Sequence, residues 1–345
     1  MKAMMLTGIR RMEMKEVPAP AVVKDDDVLI KMTTVGVCGS DIHYYVRGKI
    51  GSQVVQYPFT VGHEGAGIVE KVGKAVTRVK PGDRIAIEPA MSCGECDQCK
   101  AGRPHTCRKL RFLGCPGQAE GLLSEYIVMP EACCIPVADS LTFDEAVISE
   151  PLAIGVYAVQ QSIPLKGKTV GILGYGPIGM SVLLPARAQG AAKIFVTDKI
   201  DARLQYARRD GAVLTANPSR EDVVAKVREA EPLLLDVVFE CAGQQEAVDN
   251  ALDILKPGGY LMLIGIPEEP RYVLNTDKMR HKEITIVNVR RQNHCTRKAI
   301  EMMEKKMIDA RPMVTHRFPF SDTKKAFDLV ADYQDGVMKA MIDIP

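Results

Sequence analysis

Apolar and polar residues alternate in short runs through the first part of the chain. Segments 28–37 (VLIKMTTVGV), 65–73 (GAGIVEKVG), 83–90 (DRIAIEPA) and 124–130 (SEYIVMP) are rich in Val and Ile and bounded by Gly, Pro or charged residues. This pattern predicts strands joined by tight turns, so residues 1 to about 150 read as a β-rich region.

The period changes near Glu150. Segment 152–161 (LAIGVYAVQQ) has helical spacing, and KTVGIL at 168–173 then enters a glycine-rich turn and an apolar helix. Strand and helix patterns alternate from there: KIFVTD, KIDARLQYARRDGA, VLTA, a helix over 219–230, LLDVVFECA, QEAVDNALDIL, the turn KPGG and YLMLIGI. Such alternation predicts a parallel sheet covered on both faces, over residues 153–288. The tail carries two amphipathic helical patterns, TRKAIEMMEKKMI and DTKKAFDLVADYQ. Pro185 falls inside the first apolar helix of the alternating region and is expected to end or kink it.

Composition narrows the functional classes. With 345 residues and 46% apolar content, the chain can build two domains with substantial cores. Basic and acidic residues are interleaved and sum to +2, so no phosphate-tracking stripe is present and nucleic acid is not an expected partner. No segment reaches the roughly 20 apolar residues of a membrane span. The first residues, MKAMMLTGIRRMEMKEV, are charged early and lack the apolar core of a signal peptide. A cytoplasmic, reducing location is therefore expected, and closely spaced thiols there read as metal ligands before disulfides.

Cys93, Cys96, Cys99 and Cys107 have that close spacing, in SCGECDQCKAGRPHTC. Four thiolates can close a tetrahedral shell around one zinc ion and leave no open position, which makes the site structural; an iron–sulfur cluster is the other thiolate option. His105, inside the lobe, reads as a loop residue, since four sulfurs already suffice.

Gly174-Tyr175-Gly176-Pro177-Ile178-Gly179 is a G-x-G-x-x-G turn between a strand and a helix, and the acidic Asp198 closes the next strand. This is the full context of a dinucleotide fingerprint: glycines for the turn, close approach to pyrophosphate and helix packing, and an acid for the ribose hydroxyls. Asp198 would repel a 2′-phosphate, so NAD is expected over NADP; Arg203 is the nearest downstream base. Ile264, Gly265 and Ile266, where YLMLIGI ends, are further expected cofactor residues.

A dispersed set remains: Cys38 in GVCGSDIHYY, His63-Glu64 in VGHEGAG, and Glu150 in SEPLAIG. Adjacent side chains on a regular strand face opposite ways, so His63 and Glu64 can both reach one metal only if the backbone turns between them. Taken with CGSD, GHEGAG, the four-cysteine lobe, EPLAIG, GYGPIG and VTHRFPF, these motifs resemble the zinc-containing medium-chain dehydrogenases from end to end, and most closely their sorbitol (polyol) dehydrogenase branch.

The resemblance implies an α/β fold. A GroES-like β-rich catalytic domain, 1–152 plus 289–345, is interrupted by a Rossmann doubly wound parallel sheet domain, 153–288. It implies NAD and two zinc ions per subunit, one structural and one catalytic. The catalytic ion would be held by Cys38, His63 and Glu64, or with Glu64 acting behind the ligands instead, with Glu150 near it, through water, and Asp41 orienting the histidine. It implies hydride transfer from a secondary alcohol. Ser40 and His43 would lead the proton to solvent, Tyr44 would meet substrate hydroxyls, and Arg290 would contact both the cofactor and substrate hydroxyls. The partners implied are a small-molecule polyol and further copies of the chain, as a homotetramer, with no nucleic acid or membrane. Dehydrogenases for threonine or butanediol, and a non-catalytic NAD-binding zinc protein, are the rival readings.

Overall fold

The computed structural model describes residues 1–267 and 271–345. The chain divides into two compact units. One comprises Met1–Glu150, Thr296–Lys306 and Ala310–Pro345, the other Pro151–Cys295 and Met307–Asp309.

The first unit is built on a seven-stranded sheet. Its path runs Cys134–Pro136, Arg84–Ile87, Glu64–Val72, Asp27–Gly36, Lys339–Asp343, Val314–Pro319, and Tyr126–Pro130 also pairs with Asp27–Gly36. The four alternating segments read from the sequence all contribute strands to it. Their inward residues, with Leu6, Ile30, Met32, Val61, Ile85 and Leu122 fully buried, form a single core. The last two strands, Val314–Pro319 and Lys339–Asp343, lie in the tail where periodicity predicts only helices. They pair in parallel with each other, and Lys339–Asp343 pairs antiparallel with Asp27–Gly36.

The second unit holds a six-stranded sheet in the order Leu214–Ala216, Lys193–Thr197, Thr169–Leu173, Leu235–Glu240, Leu255–Leu263, Thr285–Asn288, every pair parallel. The strand order reverses beside Thr169–Leu173, the crevice position where open α/β sheets bind ligands. Phe195, Val238, Leu252 and Leu261 are among its buried core. The KPGG segment lies within the bounds of the strand Leu255–Leu263 but bulges from the ladder, since Leu235 pairs with Leu255 and Val237 already with Tyr260.

Pro185 does not end its helix, which runs Pro177–Ala188. Proline leaves the carbonyl of Ser181 without its helical donor. Gly155 packs directly over that carbonyl, so close that a Cβ there would lie 1.8 Å from the oxygen. Tight helix packing thus covers the gap that the missing N–H creates. Among the described residues, no helix is long and apolar enough to cross a membrane.

Candidate metal centres and cofactor turn

The four-cysteine lobe forms as read. A short pair of strands, Ala90–Met91 and Arg111–Phe112, closes its base, and Gly94 and Gly102 turn the chain through positive φ. The sulfurs of Cys93 and Cys107 are 3.4 Å apart, Cys96 and Cys99 3.6 Å, Cys96 and Cys107 3.9 Å, and Cys93 and Cys99 4.0 Å. A disulfide needs about 2.0 Å. Zinc–sulfur bonds of about 2.3 Å give a tetrahedron edge of about 3.8 Å, so the spacing fits one zinc ion. Backbone N–H groups of Arg108 and Cys99 bring the Cys96 thiol down to about 6, towards the thiolate a metal requires. His105 is buried in the short turn Pro104–Thr106 and is not one of the clustered ligands. Cys96→Ser is expected to lower Tm by at least about 5 °C while the folded enzyme keeps kcat within about threefold, because the metal here supplies folding energy. Thermal scans alongside turnover check this; soluble, stable protein that has lost only turnover contradicts it.

The second cluster assembles around the sheet edge. The strand Asp27–Gly36 runs out at Val37 into Cys38, which precedes the helix Gly39–Arg47. The strand Glu64–Val72 starts directly after His63, and Gly62 has a φ of +100°. His63 therefore sits off the pleat, and the alternation rule does not separate it from Glu64. Ligand atoms of Cys38, His63 and Glu64 all lie within 4.8 Å of one another. Glu150 is outside this cluster, though the charges of His63 and Glu64 still bear on it.

Asp41 organises the cluster. Fully buried, it accepts hydrogen bonds from the Cys38 and Gly62 N–H groups, both at 3.2 Å, and lies 3.3 Å from His63 Nδ1. That leaves Nε2 for a metal. Burial alone lowers the His63 pKa, but Asp41 and Cys38 outweigh it and raise it well above the ordinary value. The site favours a cation at this spot. Ser40 Oγ donates to Cys38 Sγ at 3.4 Å, and His43 lies three residues further along the same helix. Tyr44 is buried and its hydroxyl donates to Gln53 at 3.1 Å.

Lys339 is the residue that sequence reasoning missed. Its side chain is 1% exposed, and its ammonium donates to both Glu64 oxygens, at 2.7 and 2.6 Å, and to the Val37 carbonyl at 3.2 Å. Burial acts to lower its pKa, yet Glu64 and Cys38 raise it above the ordinary lysine value, so it is a charged partner. The one available signal was a lysine inside an apolar run, VMKAMI. Gly36 makes room for the pair, since a Cβ there would lie 2.5 Å from Glu64 Oε2. Glu150 is buried with Oε2 lacking any hydrogen-bond partner, and burial pushes its carboxyl up to about 8. A buried acid oxygen with no protein partner fits a site that a metal or its water completes.

In the second unit the glycine turn follows the strand Thr169–Leu173 and opens the helix Pro177–Ala188 at Pro177-Ile178. Gly174 has a φ of +94°, and Gly179 abuts the Gly174 carbonyl where a Cβ would stand 2.1 Å away. Asp198 follows the strand Lys193–Thr197 and accepts from Tyr175 N–H at 2.7 Å and Ile200 N–H at 2.8 Å. Arg203 is buried with its guanidinium beside Gly176. Ile264 and Gly265 donate their N–H groups to the Glu240 carbonyl, and Ile266 is half exposed. Glu240, also missed, accepts from the Ala242 and Gly243 N–H groups at 2.8 and 2.7 Å and so braces two loops at the carboxyl edge of the sheet. Arg290 is exposed beyond the last strand, Thr285–Asn288.

Comparison with known proteins supplies the family. Residues 24–139 match the alcohol dehydrogenase GroES-like domain, and residues 177–305 match the zinc-binding dehydrogenase domain. The chain belongs to the zinc-binding alcohol dehydrogenase family. This dehydrogenase is 34% identical over 343 residues to a sorbitol dehydrogenase of Bacillus subtilis, covering 99% of this chain and 97% of the relative. A solved oxidoreductase of unknown specificity from Escherichia coli superimposes with a TM-score of 0.94 at 32% identity, over 100% of this chain and 99% of that one. A zinc-binding dehydrogenase from Sinorhizobium meliloti, solved with NADP bound, does so with a TM-score of 0.90 at 30% identity, over 100% and 99%. The dehydrogenase is an NAD-dependent zinc enzyme of α/β fold, with a GroES-like unit and a Rossmann unit.

Proposed function

We propose that this dehydrogenase oxidises a secondary hydroxyl of a polyol such as sorbitol or xylitol. The observation that carries the reading is the Cys38–His63–Glu64 cluster, together with a buried Glu150 that feels the charges of His63 and Glu64 and keeps one oxygen unpartnered. The likeness to a sorbitol dehydrogenase supports the substrate class.

Cys38, His63 and Glu64 would hold the catalytic zinc, with Glu150 reaching it directly or through water. Zinc held there would supply the Lewis acidity that lowers the pKa of a substrate hydroxyl, and NAD the hydride acceptor. The rest falls to the chain itself. Asp41 holds the His63 ring in one orientation. Lys339 balances the Glu64 charge, so Glu64 offers a lone pair only while also holding the ammonium. Ser40 and His43, on one face of the helix Gly39–Arg47, form a route for the proton towards solvent. Tyr44, whose hydroxyl donates to Gln53, would meet a substrate hydroxyl. Arg290 would contact cofactor and substrate hydroxyls. Ten unbridged cysteines support a reducing, cytoplasmic location. The open edge of the strand Thr285–Asn288 supports assembly, as a homotetramer, which native mass measurement tests.

NADH formation across sorbitol, xylitol, galactitol, iditol, butanediol and threonine tests the substrate class. A kcat/KM at least about tenfold higher for one polyol than for butanediol and threonine is expected; the reverse order refutes it. Asp198 is the proposed reader of the unphosphorylated ribose, by accepting from its hydroxyls and repelling a 2′-phosphate. Asp198→Ala is expected to cut the NAD over NADP preference about tenfold or more, and an unchanged ratio would remove that role.

A further inference from the structure

The glycine turn carries one side chain that its phosphate chemistry does not require. Tyr175 lies between Gly174 and Gly176, is fully buried, and its hydroxyl donates to Asp210 Oδ2 at 2.8 Å. Asp210 follows the helix Asp201–Arg209 and is itself buried. Its other oxygen accepts from Arg209 Nε and Nη2 at 3.1 and 3.0 Å. Its backbone carbonyl accepts from Arg187 Nη1 at 2.7 Å. Arg187 belongs to the last turn of the helix that the glycine turn opens. The turn, the end of its own helix and the end of the following helix therefore meet on a single aspartate.

The backbone of Tyr175 has a second task. Its N–H donates to Asp198 Oδ2 at 2.7 Å, while Ile200 N–H holds Oδ1 at 2.8 Å. The orientation of the Asp198 carboxylate is thus set from the glycine turn on one side and from its own loop on the other. Each oxygen keeps a lone pair for a ribose hydroxyl. A shift of Tyr175 would carry Asp198 with it, and a misplacement near 1 Å is enough to spoil a bidentate contact. Burial and the neighbouring Asp210 push the Tyr175 phenol well above its ordinary range, so it remains a donor at any working pH.

We propose that Tyr175 and Asp210 are positioning residues for cofactor selectivity: their buried hydrogen bond holds the glycine turn and, through the Tyr175 N–H, the Asp198 carboxylate that reads the ribose. This rests on the reading of Asp198 given above and extends it to two residues whose side chains are engaged with each other.

The test is calorimetric titration of the zinc-loaded full chain with NADH and with NADPH, which needs no alcohol substrate, alongside steady-state kinetics. Tyr175→Phe is expected to weaken NADH about tenfold, the size that one hydrogen bond to a charged acceptor supports, and NADPH much less. KM for NAD should rise in step while kcat stays within about twofold. Asp210→Asn, whose amide oxygen still accepts from the phenol, should retain the wild-type preference, and Asp210→Ala should behave like Tyr175→Phe. The double variant Tyr175→Phe/Asp210→Ala should be no worse than either single one, because both remove the same link. Tyr175→Phe with an unchanged NADH to NADPH ratio overturns the proposal, whatever its Tm. Asp198→Ala run in parallel separates the two readings. If it changes the ratio and Tyr175→Phe does not, the positioning role alone fails; if neither does, the reading of Asp198 fails with it.

Discussion

Replacing Cys38 or His63 by Ala should lower kcat/KM for the alcohol by about 10³-fold or more and leave NADH binding within about twofold of wild type. The two ligands stand on one unit and the glycine turn on the other, so the metal chemistry and dinucleotide affinity can be lost separately. Metal analysis should fall from two zinc ions per chain to one. NADH formation, calorimetry and metal content together make the measurement. Near wild-type turnover in either variant would contradict the assignment of the cluster as the catalytic centre. The expected loss is large because a thiolate and an imidazole set the charge and geometry of the site, and a carboxylate such as Glu150 does not reproduce either one. Asp41 faces the other ring nitrogen of His63, and Lys339 is itself a cation.

Lys339→Met should destabilise the protein by about 3–5 kcal/mol, the penalty for stripping one partner from a buried ion pair. Thermal denaturation should show a drop of at least about 6 °C. The physical cause is Glu64, 1% exposed and left without the ammonium that both its oxygens accept. The combined variant Lys339→Met/Glu64→Gln should recover a substantial part of that loss, because no buried charge is then stranded. A Lys339→Met protein as stable as wild type would mean that the pair is not the closed, dry contact described here. Lys339→Arg, which keeps the charge on a larger, planar head, should fall between the two.

Most of the fold was legible because its signals are local. Alternation over a few residues marked four strands of the first unit, and the switch to alternating strands and helices marked the Rossmann sheet. Pro185 sits inside the helix without ending it, and the close packing of Gly155 over the freed Ser181 carbonyl is a neighbour from another helix that no local rule anticipates. The two tail strands were read only as the spaces between helices. Val314–Pro319 and Lys339–Asp343 are short, and they gain strand partners from each other and from Asp27–Gly36, hundreds of residues earlier. A strand whose ladder is that distant carries little signature of its own.

The same division runs through the sites. By itself, the order of residues determined the chemistry that needs only neighbours along the chain: four thiols spaced to wrap one ion, and glycines between a strand and a helix with an acid on the next strand. Tertiary structure alone decided which carboxylates are free and which are spoken for. Glu64 is claimed by a lysine 275 residues away, Glu150 keeps an oxygen without a partner, and Tyr175 is tied to an aspartate 35 residues on. The reason is that burial and pairing of charge depend on what the folded chain brings within about 3 Å, where removal from water makes each contact matter. Sequence spacing holds no record of that distance once the partners lie on different strands.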